Sequence, residues 1–189
     1  QVGSVKNLSL MTHVSIETSS YPVMFALSKL DMIPTDKASS KDIQRQTKIL
    51  VNGDFVGVCR DMNHTIRIST ILRHLRRTGI LNPFISIAWN RDFNTITILT
   101  DGGRYSTPYY IVDSDGHFQI NRWKTKYGDE KLPELKALIC ELEEPENTEY
   151  AYNELYKDVE HQPWRDSAIE YLDTDEEETA MIAVRPEQL

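Results

Sequence analysis

The sequence predicts an α+β fold, a mixed sheet of hairpins with a few packed helices, and three observations carry that prediction. Asn52-Gly53 stands between two β-rich runs, "KILV" and "DFVGVC". Apolar residues recur with a helical period across residues 63–79. Two alternating runs, "FISIAW" and "TITILT", then follow one another.

In chain order, Val14 and Ile16 alternate with polar residues and predict a short strand. Tyr21-Pro22 opens a short helix whose apolar face is read as Val23, Met24, Leu27 and Leu30. Residues 35–46, "TDKASSKDIQRQ", have no apolar period and read as a loop. Residues 48–59 form a hairpin, because Asn-Gly supplies the positive φ angles of a type I′ turn. In the helix over 63–79, Ile68, Ile71, Leu72 and Leu75 face inward, Asn63 caps the start and Gly79 the end. Arg73, His74, Arg76 and Arg77 crowd its last turns. There they complement the negative end of the helix dipole, or they form a phosphate-contacting patch. A second hairpin spans 84–100 through Asn90-Arg91-Asp92-Phe93-Asn94. Asp101-Gly102-Gly103-Arg104 turns the chain into a strand at "YYIVD". In that turn Arg104 is expected to pair with a carboxylate or with carbonyl groups. Asp113-Ser114-Asp115-Gly116 is a tight turn that lacks the later acidic positions of a calcium loop. Residues 117–163 are charged, with a helix expected at 132–142. At the end, "AIEYLD" and "TAMIAV" read as strands flanking a solvated acidic turn, Asp173 to Glu178.

The 189 residues suit one domain or two small ones. The net charge of −8 is uneven. Residues 1–110 carry 13 Lys and Arg against 8 Asp and Glu, whereas residues 111–189 carry 8 against 21. A uniformly basic nucleic-acid binder is excluded, and one basic face beside an acidic lobe is not. No apolar run reaches the length of a membrane span, and no membrane partner is expected. Cys59 and Cys140 stand alone without a CxxC, so no zinc ribbon is read. The sequons at Asn7 and Asn63 carry little meaning without a secretory signal. Phosphate loops, the GxSxG elbow and HExxH are absent, and the five histidines lack ligand spacing. Carboxylates bunched in a turn lack the fixed oxygen cage that magnesium needs. On the residues alone the reading stops at an α+β interaction module.

Five strings in order extend it. "VGSVKNLSLMTHVS", "VNGDFVGVCRD", "ILRHLRRTGIL", "ITILTDGGRY" and "IEYLDTDEEETAMIAVRPEQL" together resemble the second-largest subunit of eukaryotic-type, multisubunit DNA-directed RNA polymerases. They look like the segment after its ETPEG motif, its VNGxxxGVxRD hairpin, its LRxLRRxGxI helix, its IxTDAGR turn and its VEYxDxEEEExxxIAMxPEDL ending. Only residues 117–163 match poorly. Two departures stand out. Thr107-Pro108 replaces the family's Arg-Pro pair, and Gly102 replaces its alanine, as in RNA polymerase III-like and some viral relatives. The Glu run of the ending points to the RNA polymerase II-like form.

The resemblance implies an internal piece of a longer chain, consistent with a start at Gln1 rather than Met. Residues 1–34 would end the fork region, 35–116 would begin the external lobe, 117–163 would be a variable charged insertion, and 164–189 would supply the lobe's closing strands. The implied function is a structural part of an enzyme that catalyses DNA-templated RNA synthesis from ribonucleoside triphosphates, with no catalytic residue or metal ligand in this stretch. Magnesium and zinc are expected elsewhere in the polymerase. Its expected partners are the other subunits, chiefly the largest, with template DNA and the RNA–DNA hybrid. Gln1, Lys6 and Asn7 would lie nearest the nucleic acid, and Asp101, Gly102, Gly103 and Arg104 form the structural turn. The implied home is the nucleus, or a viral factory in the cytoplasm. The alternative is a free-standing α+β protein-interaction module without catalysis.

Overall fold

The computed structural model describes residues 3–5, 7–112, 116–118 and 168–188. Its larger sheet grows from the two hairpins. β3 (Lys48–Val51) and β4 (Asp54–Val58) are joined by Asn52 at φ 50° and Gly53 at φ 87°, the two positive angles the turn requires. β5 (Ser86–Asn90) and β6 (Thr95–Leu99) form the second hairpin, with Asn94 also left-handed. β6 lies parallel to β3, and the short β2 (Ile33–Pro34) pairs with β4. The order is β2-β4-β3-β6-β5. Pro34 suits an edge strand, where a missing N–H costs no ladder bond.

A parallel pair needs a crossover, and helix α3 (Met62–Arg77) provides it. Ile68, Leu72 and Leu75 are fully buried against Ile49, Ile87, Ile96 and Ile98, with Ile71 packed beside them. The cap is Asp61, not Asn63: its carboxylate accepts from the N–H of His64 at 2.7 Å. Gly79 ends the helix at φ 79°, and Leu81 N–H bonds back to the Leu75 carbonyl. Helix α1 (Tyr21–Lys29) covers the same core with Val23, Ala26 and Leu27, while Met24 is 37% exposed. The observed face differs from the expected one. Positions 23, 26, 27 and 30 form the stripe, and Met24 is rotated about 100° from Val23.

Residues 40–45, expected as loop, form helix α2 (Ser40–Arg45). Its capping box is complete: Ser39 Oγ accepts from Asp42 N–H, and the Asp42 carboxylate accepts from Ser39 N–H. None of its residues is buried, so no apolar period announced it.

The smaller sheet has the order β1-β7-β8, from β1 (His13–Val14), β7 (Tyr105–Tyr110) and β8 (Ile169–Asp173). The strand expected at 109–113 therefore lies earlier. Ile111 N–H bonds to the Ala168 carbonyl, so odd positions of β7 face β8 and Pro108 faces the other way. β1 pairs only with Tyr105 and Ser106, so among the described residues Pro108 lies on an edge without a partner strand and needs no N–H. After β8 the acidic turn is a short helix, α4 (Thr174–Glu177). The second expected closing strand, 179–184, is not one: residues 181–184 pair with no strand among the described residues. The turn at Asp113–Asp115, the helix at 132–142, Cys140 and nearly all of 117–163 lie outside the described residues.

Gly57 marks where β4 meets β2. A Cβ there would stand 2.3 Å from the Ile33 carbonyl oxygen, whereas one at Gly3 would meet nothing within 4 Å. Gly57→Ala should cost about 2 kcal/mol or more in urea unfolding, and Gly3→Ala within about 0.5 kcal/mol of nothing.

Candidate functional site

The apolar stripe of α3 ends on a charge. Arg76 lies four residues after Leu72 on the inward face and is 2% exposed. A guanidinium so placed must be paired and hydrogen-bonded, and here the two terminal nitrogens are, while Nε stays buried without an acceptor among the described residues. Nη1 donates to Glu176 at 2.6 Å and to the Ile85 carbonyl at 2.8 Å, and Nη2 donates to Glu176 at 2.8 Å and to Glu170. Arg77 donates to the other Glu170 oxygen at 2.8 Å, and Arg73 Nε stands 3.7 Å from Glu176. Glu176 also accepts from Ile87 N–H at 3.2 Å. One carboxylate and one guanidinium thus occupy the open edge of β5, where a further strand would otherwise pair.

The electrostatics follow from burial and pairing. Burial alone would raise the Glu170 carboxyl, but Arg76 and Arg77 outweigh it and hold it down at about 2. Burial disfavours the Arg76 charge, and Glu176 and Glu170 reverse that, so its pKa is raised. Burial lowers Arg73, with Glu176 opposing.

The basic cluster ending α3 is expected as dipole complement or phosphate patch. His74, Arg76 and Arg77 do lie in the last turn, where they complement the dipole, and in addition Arg76 and Arg77 pair with Glu170, and Arg76 also with Glu176. The acidic run is not wholly the solvated turn expected: Asp173 and Glu176 are buried. Glu177 accepts from Thr107 and from Tyr109. Asp173 caps α4 through Glu176 N–H at 3.0 Å and accepts from Ser86 Oγ at 2.7 Å. Carboxylates committed in this way do not fit a magnesium cage. Among the described residues no group of three or more His, Cys, Asp or Glu is placed to share a metal ion.

Asp173 also joins the second element of the site, the turn at Asp101, Gly102, Gly103 and Arg104. Gly103 has φ 81°, and a Cβ on Gly102 would lie 2.9 Å from Glu17 N. Ser15 binds the turn from outside: its N–H bonds to the Arg104 carbonyl, and its hydroxyl accepts from Arg104 N–H and donates to the Asp101 carbonyl. The Arg104 guanidinium donates to three acceptors: Asp101 O at 3.0 Å, Asp173 Oδ2 at 3.0 Å and Phe84 O at 2.9 Å. Beside it His13 stacks on Phe84 at 4.1 Å, and Phe84 meets Tyr171 at 4.9 Å. Of the N-terminal residues singled out, Asn7 is exposed, and Gln1 and Lys6 lie outside the described residues. The arrangement is a clamp: arginine stays charged, Glu170 is held ionised, and every contact fixes geometry.

Three expectations test the clamp. Arg76→Met should cost about 3–5 kcal/mol by stranding buried carboxylates, and adding Glu176→Met should recover a substantial part of it in urea titrations. Because Glu170 titrates lower in the folded state than unfolded, its contribution is complete above about pH 5. It is lost as pH falls from about 4.5 toward 2, and Glu170→Gln should remove that part of the acid dependence. Arg104→Lys should lower the melting temperature and cost about 1–2 kcal/mol, since one ammonium cannot reach all three acceptors in the plane the fork defines.

The comparisons with known proteins fall on these elements. The family model for RNA polymerase Rpb2, domain 4, matches residues 49–113, and that for Rpb2, domain 5, matches residues 164–189. The chain is 35% identical to the DNA-directed RNA polymerase II subunit RPB2 of Meyerozyma guilliermondii, over 99% of this chain and 15% of that protein. It is 32% identical to DNA-directed RNA polymerase II subunit 2 of Arabidopsis thaliana, over 96% of this chain and 13% of that protein. It is 26% identical to DNA-directed RNA polymerase subunit 2 of Acanthamoeba polyphaga mimivirus, over all of this chain and 13% of that protein. The chain thus spans 13–15% of the length of these relatives. With two family models in chain order and likeness over nearly its whole length, the chain belongs to the Rpb2 family, the second-largest subunits of DNA-directed RNA polymerases.

Proposed function

We propose that the chain is a structural part of a DNA-directed RNA polymerase, an assembly that makes RNA on a DNA template from ribonucleoside triphosphates. One observation supports this above the others. Arg76 and Arg104 lie in the stretch matched by one Rpb2 domain model, and their partners Glu170, Asp173 and Glu176 lie in the stretch matched by the next. The buried clamp therefore joins two consecutive regions of the family into one rigid support. Its groups hold positions; they are not arranged to move protons or to bind the reacting phosphates.

In this reading magnesium and zinc are bound by other parts of the polymerase. Partners are its other subunits, chiefly the largest, and the template DNA with its RNA–DNA hybrid. The home is the nucleus, and the mimivirus relative supports a viral factory as the alternative. Gln1, Lys6 and Asn7 lie toward the hybrid, where lysine and amide groups suit phosphate and sugar contact rather than base readout.

The test is a chimera in which this chain replaces the matching stretch of a yeast RNA polymerase II second subunit. It should assemble and elongate RNA, and Lys6→Ala within it should shorten elongation-complex lifetime most at low salt and give a shallower salt slope, because one phosphate contact fewer releases one counterion fewer. A chimera that folds but never joins the other subunits would refute the structural role. Equal lifetimes and salt slopes would leave Lys6 a linker.

A further inference from the structure

We propose that Asn52-Gly53 is a guarded deamidation site: Thr100 holds the Asn52 amide away from the Gly53 nitrogen, and each opening of the β3–β4 turn from β6 lets water convert the pair to aspartate or isoaspartate. The isoaspartate form cannot close again, so it is a covalent mark of opening. The inference stands apart from the polymerase reading, and every group in it belongs to the larger sheet or its turns.

The first observation is the chemistry of the pair. The chain has a single Asn-Gly. Asparagine before glycine cyclises more readily than before any other residue, because no side chain shields the following nitrogen. The Gly53 nitrogen attacks Asn52 Cγ and gives up its proton, ammonia leaves, and a succinimide ring closes. Water then opens the ring at either carbonyl. One opening gives aspartate at 52, and the other gives isoaspartate, in which the main chain runs through the former side chain. Net, a water enters and an ammonia leaves, with no change of oxidation state. Exposure alone would leave the pair open to this. Both residues are exposed, and nothing lies within 4 Å of where a Gly53 Cβ would stand.

The second observation is how the amide is held. Asn52 Nδ2 donates to Thr100 Oγ1 at 2.8 Å, and Asn52 Oδ1 accepts from Thr100 N–H at 2.8 Å. Asn52 N–H also donates to the Ile98 carbonyl at 2.9 Å. The side-chain amide thus adds a rung to the parallel β3–β6 ladder, just beyond the pairing of Val51 with Ile98. Thr100 is itself fixed: it is 1% exposed, and its carbonyl accepts from Thr18 N–H at 3.0 Å. Cγ reaches the Gly53 nitrogen only by rotating out of both side-chain bonds, and the left-handed angles of Asn52 and Gly53 hold the backbone of the turn. Attack therefore waits for opening. The two products then differ. Aspartate at 52 keeps both bonds, since its carboxylate accepts from Thr100 N–H and the Thr100 hydroxyl turns to donate. Isoaspartate lengthens the main chain by a methylene and shortens the side chain. Its carboxylate falls short of Thr100, and the turn no longer fits the register of β3 on β4.

The experiment incubates the full chain in mildly alkaline buffer, folded and in urea above its unfolding transition, and follows the tryptic peptide 49–60 by chromatography and mass spectrometry. That peptide holds Asn52 and no other asparagine. Conversion in the folded chain should be at least about tenfold slower than in urea, since it needs local opening. Thr100→Val removes the hydroxyl. It should speed conversion in the folded chain about fivefold, the population factor of one hydrogen bond, and leave the urea rate unchanged. Thr100→Ser keeps the hydroxyl and should stay within about twofold of the parent. Asn52→Asp should keep the melting temperature, whereas isoaspartate chains should collect in the unfolded fraction at intermediate urea. Two results overturn the proposal without any variant: equal rates in the folded and unfolded chain, or equal partition of isoaspartate and unmodified chains at intermediate urea. A Thr100→Val chain that converts at the parent's folded rate, or faster than the parent in urea as well, would overturn the role of Thr100 as guard.

Discussion

The burial of Arg76 constrains the molecule more than any other single fact. Moving a guanidinium out of water costs several kcal/mol unless charge and hydrogen bonds are returned to it. Arg76 sits on the last inward turn of α3, so the helix cannot complete its packing until carboxylates arrive from residues about 100 positions later. The core and the C-terminal segment therefore fold as one unit. The same contacts explain why, among the described residues, the larger sheet stops at β5. The carbonyl of Ile85 and the N–H of Ile87 are already committed to Arg76 and Glu176, which leaves no ladder for an additional strand at that point.

Arg104 extends this constraint to the smaller sheet. It holds Asp173, which also caps α4 and so fixes where Glu176 starts. Ser15 grips the same turn from the N-terminal side. Gly102 lies under that grip, with room for hydrogen but little for a methyl group, because Glu17 N is 2.9 Å from where Cβ would be. The alanine that the family pattern carries there would require residues 15–17 to stand off by a few tenths of an ångström. The exchange of glycine for alanine is thus coupled to the path of the N-terminal segment, not only to the turn.

Which parts were legible in the sequence follows from the range of the forces involved. Both hairpins and α3 announced themselves because turn chemistry and apolar period are local. Helix α2 escaped because capping alone holds it, with no buried face to give a period. Met24 was misplaced by one residue within a short helix, where two adjacent apolar residues fit the same stripe. Residues 179–184 looked like a strand because alternation reports a side chain's preference and says nothing about whether a partner strand exists. Pairing between Arg76 and Glu176 acts across the chain, and no local rule contains it. One trace was present all the same: Arg76 falls four residues after Leu72, on the buried stripe, where a charge has no place without a partner.

An ionic junction also defines position in a way that an apolar one does not. Methionine or leucine at 76 and 176 would fill similar volume, and such exchanges are often neutral or stabilising once both partners change. Apolar side chains, however, pack in several offsets at nearly equal energy. The planar fork of Arg76 accepts one: two bonds to Glu176, one to Glu170 and one to the Ile85 carbonyl must form together, while Glu176 reaches Ile87 N–H. A slip of β8 by one residue would turn Glu170 to the opposite face and break the set. The register of the C-terminal segment on the core is therefore held by directional bonds, and a support whose two regions must keep one relative position gains from that even where an apolar contact would be equally stable.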